Sequence, residues 1–117
     1  MIALAPGTRV YLACRPVDMR NGFDGLAAKA KEMIHQDPFS GHLFLFRGKR
    51  GDRLKALWWD GSGLCLIAKR LEKGSFVWPP LADGQYQLTS AQLALLIEGM
   101  DWRRTVAPAA PMVPISS

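Results

Sequence analysis

The chain has 117 residues, the length of one domain rather than two, and 49% of them are apolar, which is enough for a hydrophobic core. A formal net charge of +5 favours an anionic partner, with nucleic acid as the first candidate. No apolar run reaches the roughly 18–20 residues that cross a bilayer. Residues 1–7 lack the regions of a signal peptide. We therefore expect a cytoplasmic protein without a membrane partner.

The first half of the chain predicts a strand, a helix and a second strand. Residues 8–13 carry β-branched and aromatic side chains after a Pro-Gly turn signal. Apolar residues between Phe23 and Ile34 then recur at helical spacing, which predicts about four turns capped by Asp18 or Asn21. Residues 42–47 are apolar on both faces, which indicates a central strand covered on both sides.

Turn signals divide the next stretch into three further strands. A basic loop at 48–52 precedes a strand at 53–59, whose alternation puts Trp58 and Trp59 on opposite faces. We expect one of these two tryptophans, but not both, to be exposed. After the Asp-Gly-Ser-Gly turn, strands are predicted at 64–71 and at 75–78, where Pro79 ends the last one.

A final helix and a tail complete the predicted architecture. Thr89 and Gln92 form a capping box, and the buried stripe is predicted to contain Leu93, Leu96, Ile97 and Met100. The uncharged, Pro-rich residues 105–117 are predicted to be a disordered tail, which leaves residues 1–104 as the domain. The order β-α-β-β-β-β-α with short turns predicts an α+β fold, a single antiparallel β-sheet of about five strands with two helices packed on it.

The positive charge is concentrated in one stretch. Between residues 47 and 73 there are eight basic and three acidic residues, so this stretch alone carries the net charge of the whole chain. Lys69 and Arg70 lie on opposite faces of their strand, so one of them can join Arg53. The alternative is that the basic residues of this stretch are only exposed to solvent on a sheet face and its hairpins, without a binding role. The predicted nucleic-acid or partner surface consists of Lys49, Arg50, Arg53, Lys55, Trp59, Lys69, Arg70 and Lys73.

Catalytic and cofactor motifs are missing from the sequence. There is no phosphate loop, no dinucleotide fingerprint and no nucleophile elbow, and His35 and His42 are interpreted as ordinary surface or boundary residues. Cys14 and Cys65 show no metal-ligand spacing and are predicted to be inert core thiols. We therefore expect no enzyme activity, no cofactor, no metal and no small-molecule substrate.

A two-metal nuclease centre stays open as an outside alternative, because carboxylates are present near the predicted turns. Local roles explain each of them: helix capping for two, turn formation for one, and ion pairing with neighbouring Arg and Lys for the others. The carboxylates in question are Asp18, Asp24, Asp52, Asp60 and Glu72.

Several segments of the sequence resemble one family. They are FSGHLFLF at 39–46, DRLKALWWDG at 52–61 and KRLEKGSFVWP at 69–79, with DMRNGFDGL at 18–26 upstream and a last helix at 88–102. From about residue 8 to 103 the chain is similar, in order and spacing, to the TnpB accessory proteins of insertion-sequence-66 class bacterial transposons, which are unrelated to the RNA-guided nucleases of the same name. Cys65 and Ala68 stand where the family often has aromatic residues.

The resemblance implies an accessory role in DNA transposition, with strand cutting left to a separate transposase. Transposon DNA and the transposase or other accessory proteins are the partners it implies. Two hypotheses follow: a DNA binder that contacts phosphates through the basic surface, or an adaptor that docks on the transposase through Trp59, Phe76 and Trp78 without touching DNA.

Overall fold

A computed structural model describes residues 4–81 and 84–105 of the chain. The strands are β1 (Val10–Ala13), β2 (Leu43–Arg47), β3 (Arg53–Trp59), β4 (Leu64–Arg70) and β5 (Gln85–Leu88). The helices are α1 (Phe23–Lys29), which continues as a π-helical turn at Ala30–Ile34, and α2 (Ser90–Ile97), which is followed by a 3₁₀ turn at Trp102–Thr105.

The five strands form one sheet in the order β4-β3-β2-β1-β5. Three of the four strand pairs are antiparallel, whereas β1 and β2 are parallel because α1 carries the chain back to the starting end of β1. The predicted α+β class, with five strands and two helices in this chain order, is confirmed. The parallel pair is the one departure from an antiparallel sheet.

Each face of the sheet has its own hydrophobic core. On one face Leu43 and Leu45 of β2 pack with α2. On the other face Phe44 and Phe46 pack with α1, so the prediction that β2 is covered on both sides is confirmed. β3 divides in the same way, with Leu54 and Ala56 towards α2 and Leu57 towards α1.

The fifth strand was predicted at the wrong place. Residues 75–78 form no strand, because the backbone N–H of Phe76 donates to the carbonyl of Gly51 in the basic loop instead of entering a ladder. The fifth strand lies at Gln85–Leu88 and pairs with β1. Its polar sequence has little strand propensity of its own, and its place at the edge of the sheet depends on tertiary pairing.

The cap of the first helix was also predicted wrongly, while that of the second is confirmed. Gly22 is the N-cap of α1 and supplies no side-chain hydrogen bond. Asp18 instead accepts from Arg20, and the side-chain amide of Asn21 donates to the Asp18 carbonyl. At α2 the Thr89 hydroxyl accepts from Gln92 N–H and the Gln92 side chain accepts from Thr89 N–H, as expected of a capping box.

The predicted helix stripes are correct in their middle and wrong at their ends. Leu26, Ala30 and Ile34 are buried under the sheet, as are Leu93, Leu96 and Ile97. Phe23 and Met100, at the outer ends of the stripes, are half exposed because the sheet does not extend beneath them. Residues 106–117 of the predicted tail lie outside the described residues. Within the described ranges no helix is long and apolar enough to cross a membrane.

Candidate nucleic-acid interface

The basic loop between β2 and β3 forms one wall of an open groove of about 630 Å³. The other wall is residues 16–19, which are held against the loop by a hydrogen bond from Val17 N–H to the Arg47 carbonyl (2.9 Å). A Cβ built on Gly48 would lie 2.8 Å from Met19 Cγ, so glycine lets the two walls approach closely. The charged residues that line the groove are the cations Lys49, Arg50 and Arg53 and the carboxylates Asp18 and Asp52.

A pair of arginines continues this surface across two strands. Arg53 and Arg70 are direct cross-strand partners in the β3–β4 register. The pairs on either side are hydrogen-bonded pairs of the antiparallel ladder: Asp52 with Leu71, and Leu54 with Lys69. The bond from Leu71 N–H to the Asp52 carbonyl (2.9 Å) establishes this alternation. Arg53 and Arg70 therefore form a non-hydrogen-bonded pair, in which side chains are closest. Like charges in this position repel each other.

Four of the predicted residues thus lie on one continuous surface. The groove shares Met19 and Arg53 with a second, smaller groove that reaches Arg70. Between Lys69 and Arg70, it is Arg70 that shares the face of Arg53. We call this surface the basic track, and it consists of Lys49, Arg50, Arg53 and Arg70.

The charge of the basic track is only partly neutralised by the protein. Across the described residues, Lys49, Arg50 and Arg53 form no ion pair with a carboxylate. Arg70 contacts Glu72 at 3.2 Å in a solvent-exposed pair, which contributes little to stability. Lys73 is also exposed, in the turn that follows β4. The track therefore presents cations to solvent in an open groove.

Residues 71–78 fix the conformation of the basic loop. The Gly51 carbonyl accepts both the Phe76 backbone N–H (3.0 Å) and the Trp78 indole N–H (2.9 Å). The Arg47 guanidinium lies 5.2 Å from the centre of the Trp78 ring, in a cation–π contact, and burial lowers the pKa of Arg47. Gly51 has φ +83°, so the loop needs a glycine at this point. The loop is pre-organised and needs no rearrangement to present Lys49 and Arg50.

Two lysines of the predicted surface have internal partners. Lys55 Nζ donates to the Asn21 carbonyl at 2.8 Å, just before α1, and Lys69 Nζ donates to the Ile97 carbonyl at 2.7 Å, at the end of α2. A lysine at a helix C-terminus is favourable for the exposed carbonyls and the helix dipole. Both lysines thus tie helices to the sheet through their Nζ atoms, and both also line the second groove beside Arg53 and Arg70.

Of the aromatic residues near the sheet, Trp78 contacts the basic loop, whereas Trp59 lies away from it and Phe76 belongs to the core. Trp58 and Trp59 are both half-buried, so the expectation that one would be exposed is wrong. Trp59 packs edge-on against Phe39 at the end of β3 that is roughly 20 Å from Arg53. Phe76, a predicted docking anchor, is 2% exposed and belongs to the core. Trp78, the tryptophan next to the basic loop, is half-buried, and its ring already contacts the Arg47 guanidinium and the Gly51 carbonyl.

The carboxylates are used locally. Arg20 holds Asp18 through hydrogen bonds and lowers its pKa to about 2. Asp60 accepts from the backbone N–H groups of Ser62 and Gly63, both at 2.9 Å, and these bonds lower its pKa to about 2. In the part of the chain that the structure describes, no three His, Cys, Asp or Glu residues are grouped as a metal site would require.

Cys14, Cys65 and His42 contact neighbouring parts of the fold. Cys14 is buried, which raises its pKa. Cys65 is only half-buried, and its pKa is raised by burial and by its contact with Asp60. His42 Nδ1 accepts the backbone N–H of Arg9 at 3.0 Å and its ring packs edge-on against Tyr11, so this side chain joins the starts of β1 and β2.

The fold and the site define a small α+β sheet protein with a pre-organised basic surface at one end. The family model of the IS66 Orf2-like proteins (TnpB_IS66) matches residues 8–107, and the chain belongs to this family. It is 43% identical over 104 residues to the uncharacterized protein y4jC of Sinorhizobium fredii, covering 89% of each chain. It is 44% identical over 103 residues to y4hO of the same organism, covering 88% of this chain and 90% of y4hO. No solved structure matches the chain.

The family identifies the protein as an accessory protein of an insertion sequence and associates it with the transposition machinery. The structure brings the predicted residues Lys49, Arg50, Arg53 and Arg70 to one surface, but the sequence did not predict that residues 16–19 form the second wall of the groove. Asp18 is the one charged residue among them, and the charge pattern did not assign it to this surface.

The titration of Asp60 tests whether this carboxylate belongs to a turn. Its pKa is about 2 when folded against an ordinary 3.8, so its stabilising effect is present above pH 3.8 and is lost as the pH falls towards 2. We expect the ¹³C carboxyl shift of Asp60 to titrate near pH 2, and near the same value in Ser62→Ala, which keeps both backbone donors. A midpoint near 3.8 in the native protein would contradict the turn geometry.

Replacing the internal lysines tests their separation from the track. Lys55→Met and Lys69→Met should each lower the free energy of unfolding by about 1–2 kcal/mol, because each leaves a helix-terminal or loop carbonyl without its charged donor. Lys49→Met, the control in the exposed loop, should change it by less than about 0.5 kcal/mol. Urea unfolding measures all three, and equal effects of the three substitutions would refute the distinction.

Proposed function

We propose that this protein is a non-catalytic accessory factor of transposition that binds the phosphate backbone of duplex DNA through the basic track. The observation that carries the proposal is the Arg53–Arg70 pair, two like charges held side by side next to Lys49 and Arg50. Glu72 offsets part of the repulsion through its contact with Arg70, and an anion that lies between the two arginines would offset the rest. It acts in the cytoplasm, where the DNA of the element is found.

The surroundings of the track favour phosphates over bases. Trp78, beside the basic loop, is half-buried and already contacts Arg47 and the Gly51 carbonyl, and Trp59 lies at the opposite end of β3 against Phe39. Contacts to phosphate fix position without carrying sequence information. The protein therefore supplies general affinity for DNA, while the choice of the transposon ends belongs to the transposase.

Binding should depend on where the charges lie and not on their total. We expect Lys49→Ala/Arg50→Ala/Arg53→Ala to weaken binding to a duplex and to lower the slope of log K against log [salt] by about 2–3, since each lost phosphate contact removes about 0.9. Fluorescence anisotropy between about 50 and 200 mM salt measures this slope. Arg9→Ala/Lys31→Ala/Arg103→Ala, with the same change in net charge, is the matched control.

Two results would reject DNA binding by the track. One is the absence of binding by the native protein at about 50 mM salt, where phosphate contacts are strongest. The other is an equal loss of affinity in the track variant and the matched control, because the effect would then come from net charge alone.

An adaptor role is the second candidate, and the exposed Phe39 favours it. Phe39 is 50% exposed and packs edge-on against Trp59, so the two rings offer an aromatic contact at the end of the sheet away from the track. Retention on the transposase after nuclease treatment, lost in Phe39→Ser but kept in the track variant, would favour the adaptor. Retention on the transposase that disappears on nuclease treatment favours DNA binding.

A further inference from the structure

β4 is an edge strand without the features that protect such edges. It pairs with β3 through seven residues without a bulge, and its other side has no strand partner. Residues 64–68 contain no proline and no charge, although edge strands usually carry one or the other. The opposite edge, β5, is only four residues long and includes Gln85 and Gln87. The two edges of the same sheet therefore differ in their capacity to pair.

The hydrogen-bond phase of β4 defines which backbone groups are free. Bonds between Asp60 and Gly63 and between Leu71 and Asp52 show that the odd-numbered residues of β4 face β3. The N–H and C=O groups of the even-numbered residues consequently point outwards. No hydrogen bond within the described residues engages these groups. The outward residues are Leu64, Leu66, Ala68 and Arg70.

We propose that β4 pairs with β4 of a second copy of this chain, antiparallel and centred on Ile67. In this register Leu64 lies opposite Arg70 and Leu66 opposite Ala68, so every outward N–H and C=O group in β4 of both copies is paired. A shift by one residue would bring inward groups to the edge, and a shift by two would leave outward groups without partners. The phase of the backbone excludes the one-residue shift and the overlap of the two strands excludes the two-residue shift, so one register remains.

The side chains favour the same arrangement. Ile67, which is 39% exposed, meets its own copy in a non-hydrogen-bonded pair, where side chains approach most closely and burial of both is greatest. Lys69 and Arg70 occupy one end of β4, and the antiparallel pairing places them beside the uncharged Leu64 and Cys65 of the second copy. A parallel pairing in register would instead align Arg70 with Arg70.

The product is a dimer with one continuous sheet and two basic tracks. Arg70 keeps its side chain on the face of Arg53, so the pairing leaves the track of each copy open. The proposal depends only on β4 and is tested without DNA, so its failure and a failure of DNA binding are distinguishable.

Sedimentation equilibrium of the full chain tests the dimer. We expect the native protein to be a dimer at micromolar concentration, and Ile67→Lys to be a monomer because two charges would then face each other. Ala68→Pro should also be a monomer, since it removes an outward N–H without touching the β3 ladder. Met100→Lys, an exposed residue outside the sheet, is the control with the same charge change and should stay dimeric. Circular dichroism establishes that each variant is folded.

Cysteine crosslinking tests the register. In a Cys65→Ser background, Ile67→Cys should form an intermolecular disulfide on mild oxidation, because residue 67 faces itself across the interface. Ala68→Cys should form far less, because residue 68 faces residue 66. Equal crosslinking at the two positions would overturn the register. A native chain that is monomeric at micromolar concentration, or a dimer that survives both edge variants, would overturn the proposal itself.

Discussion

The burial of β2 on both faces is the constraint on which the rest of the structure depends. Leu43 to Phe46 are fully buried in alternate directions, so each face of the sheet needs its own helix. Because α1 must cross one face to connect β1 with β2, these strands are parallel, and β3 and β4 are left to extend the sheet on one side. The ends and one long edge of the sheet are what remains for function.

Much of this architecture is predictable from the sequence because the central strands carry strong local signals. β2, β3 and β4 have long apolar or alternating runs bounded by glycine turns, and Thr89 with Gln92 is a complete capping box. Where the predicted strand was wrong, tertiary contacts determined which segment joins the sheet. The aromatic run at 75–78 packs against the Gly51 carbonyl instead of forming a strand, and the polar residues of β5 become a strand because β1 has a free edge.

The candidate site was predictable as a concentration of charge but not as a surface. Alternation along β3 and β4 separates Lys69 from Arg70, yet nothing in the sequence shows that Lys55 and Lys69 donate to the carbonyls of Asn21 and Ile97. The same chemistry, a cation on a long side chain, serves helix docking in one case and solvent exposure in the other. Only the short distances from the Nζ atoms of Lys55 and Lys69 to backbone carbonyls distinguish these two lysines from the exposed ones.

The track and the edge meet in β4, and this has a consequence for how DNA and dimerisation influence each other. Arg70 contributes its side chain to the track and its backbone to the edge, and repulsion from Arg53 acts on the strand that must pair. Under the two proposals, an anion bound between the two arginines would remove this repulsion. DNA on the track would then favour the edge-paired dimer, and by linkage the dimer would bind DNA more tightly through two tracks. The two proposals therefore concern one strand, β4: its Arg70 side chain would contact DNA, and its outward backbone groups would pair with the second copy.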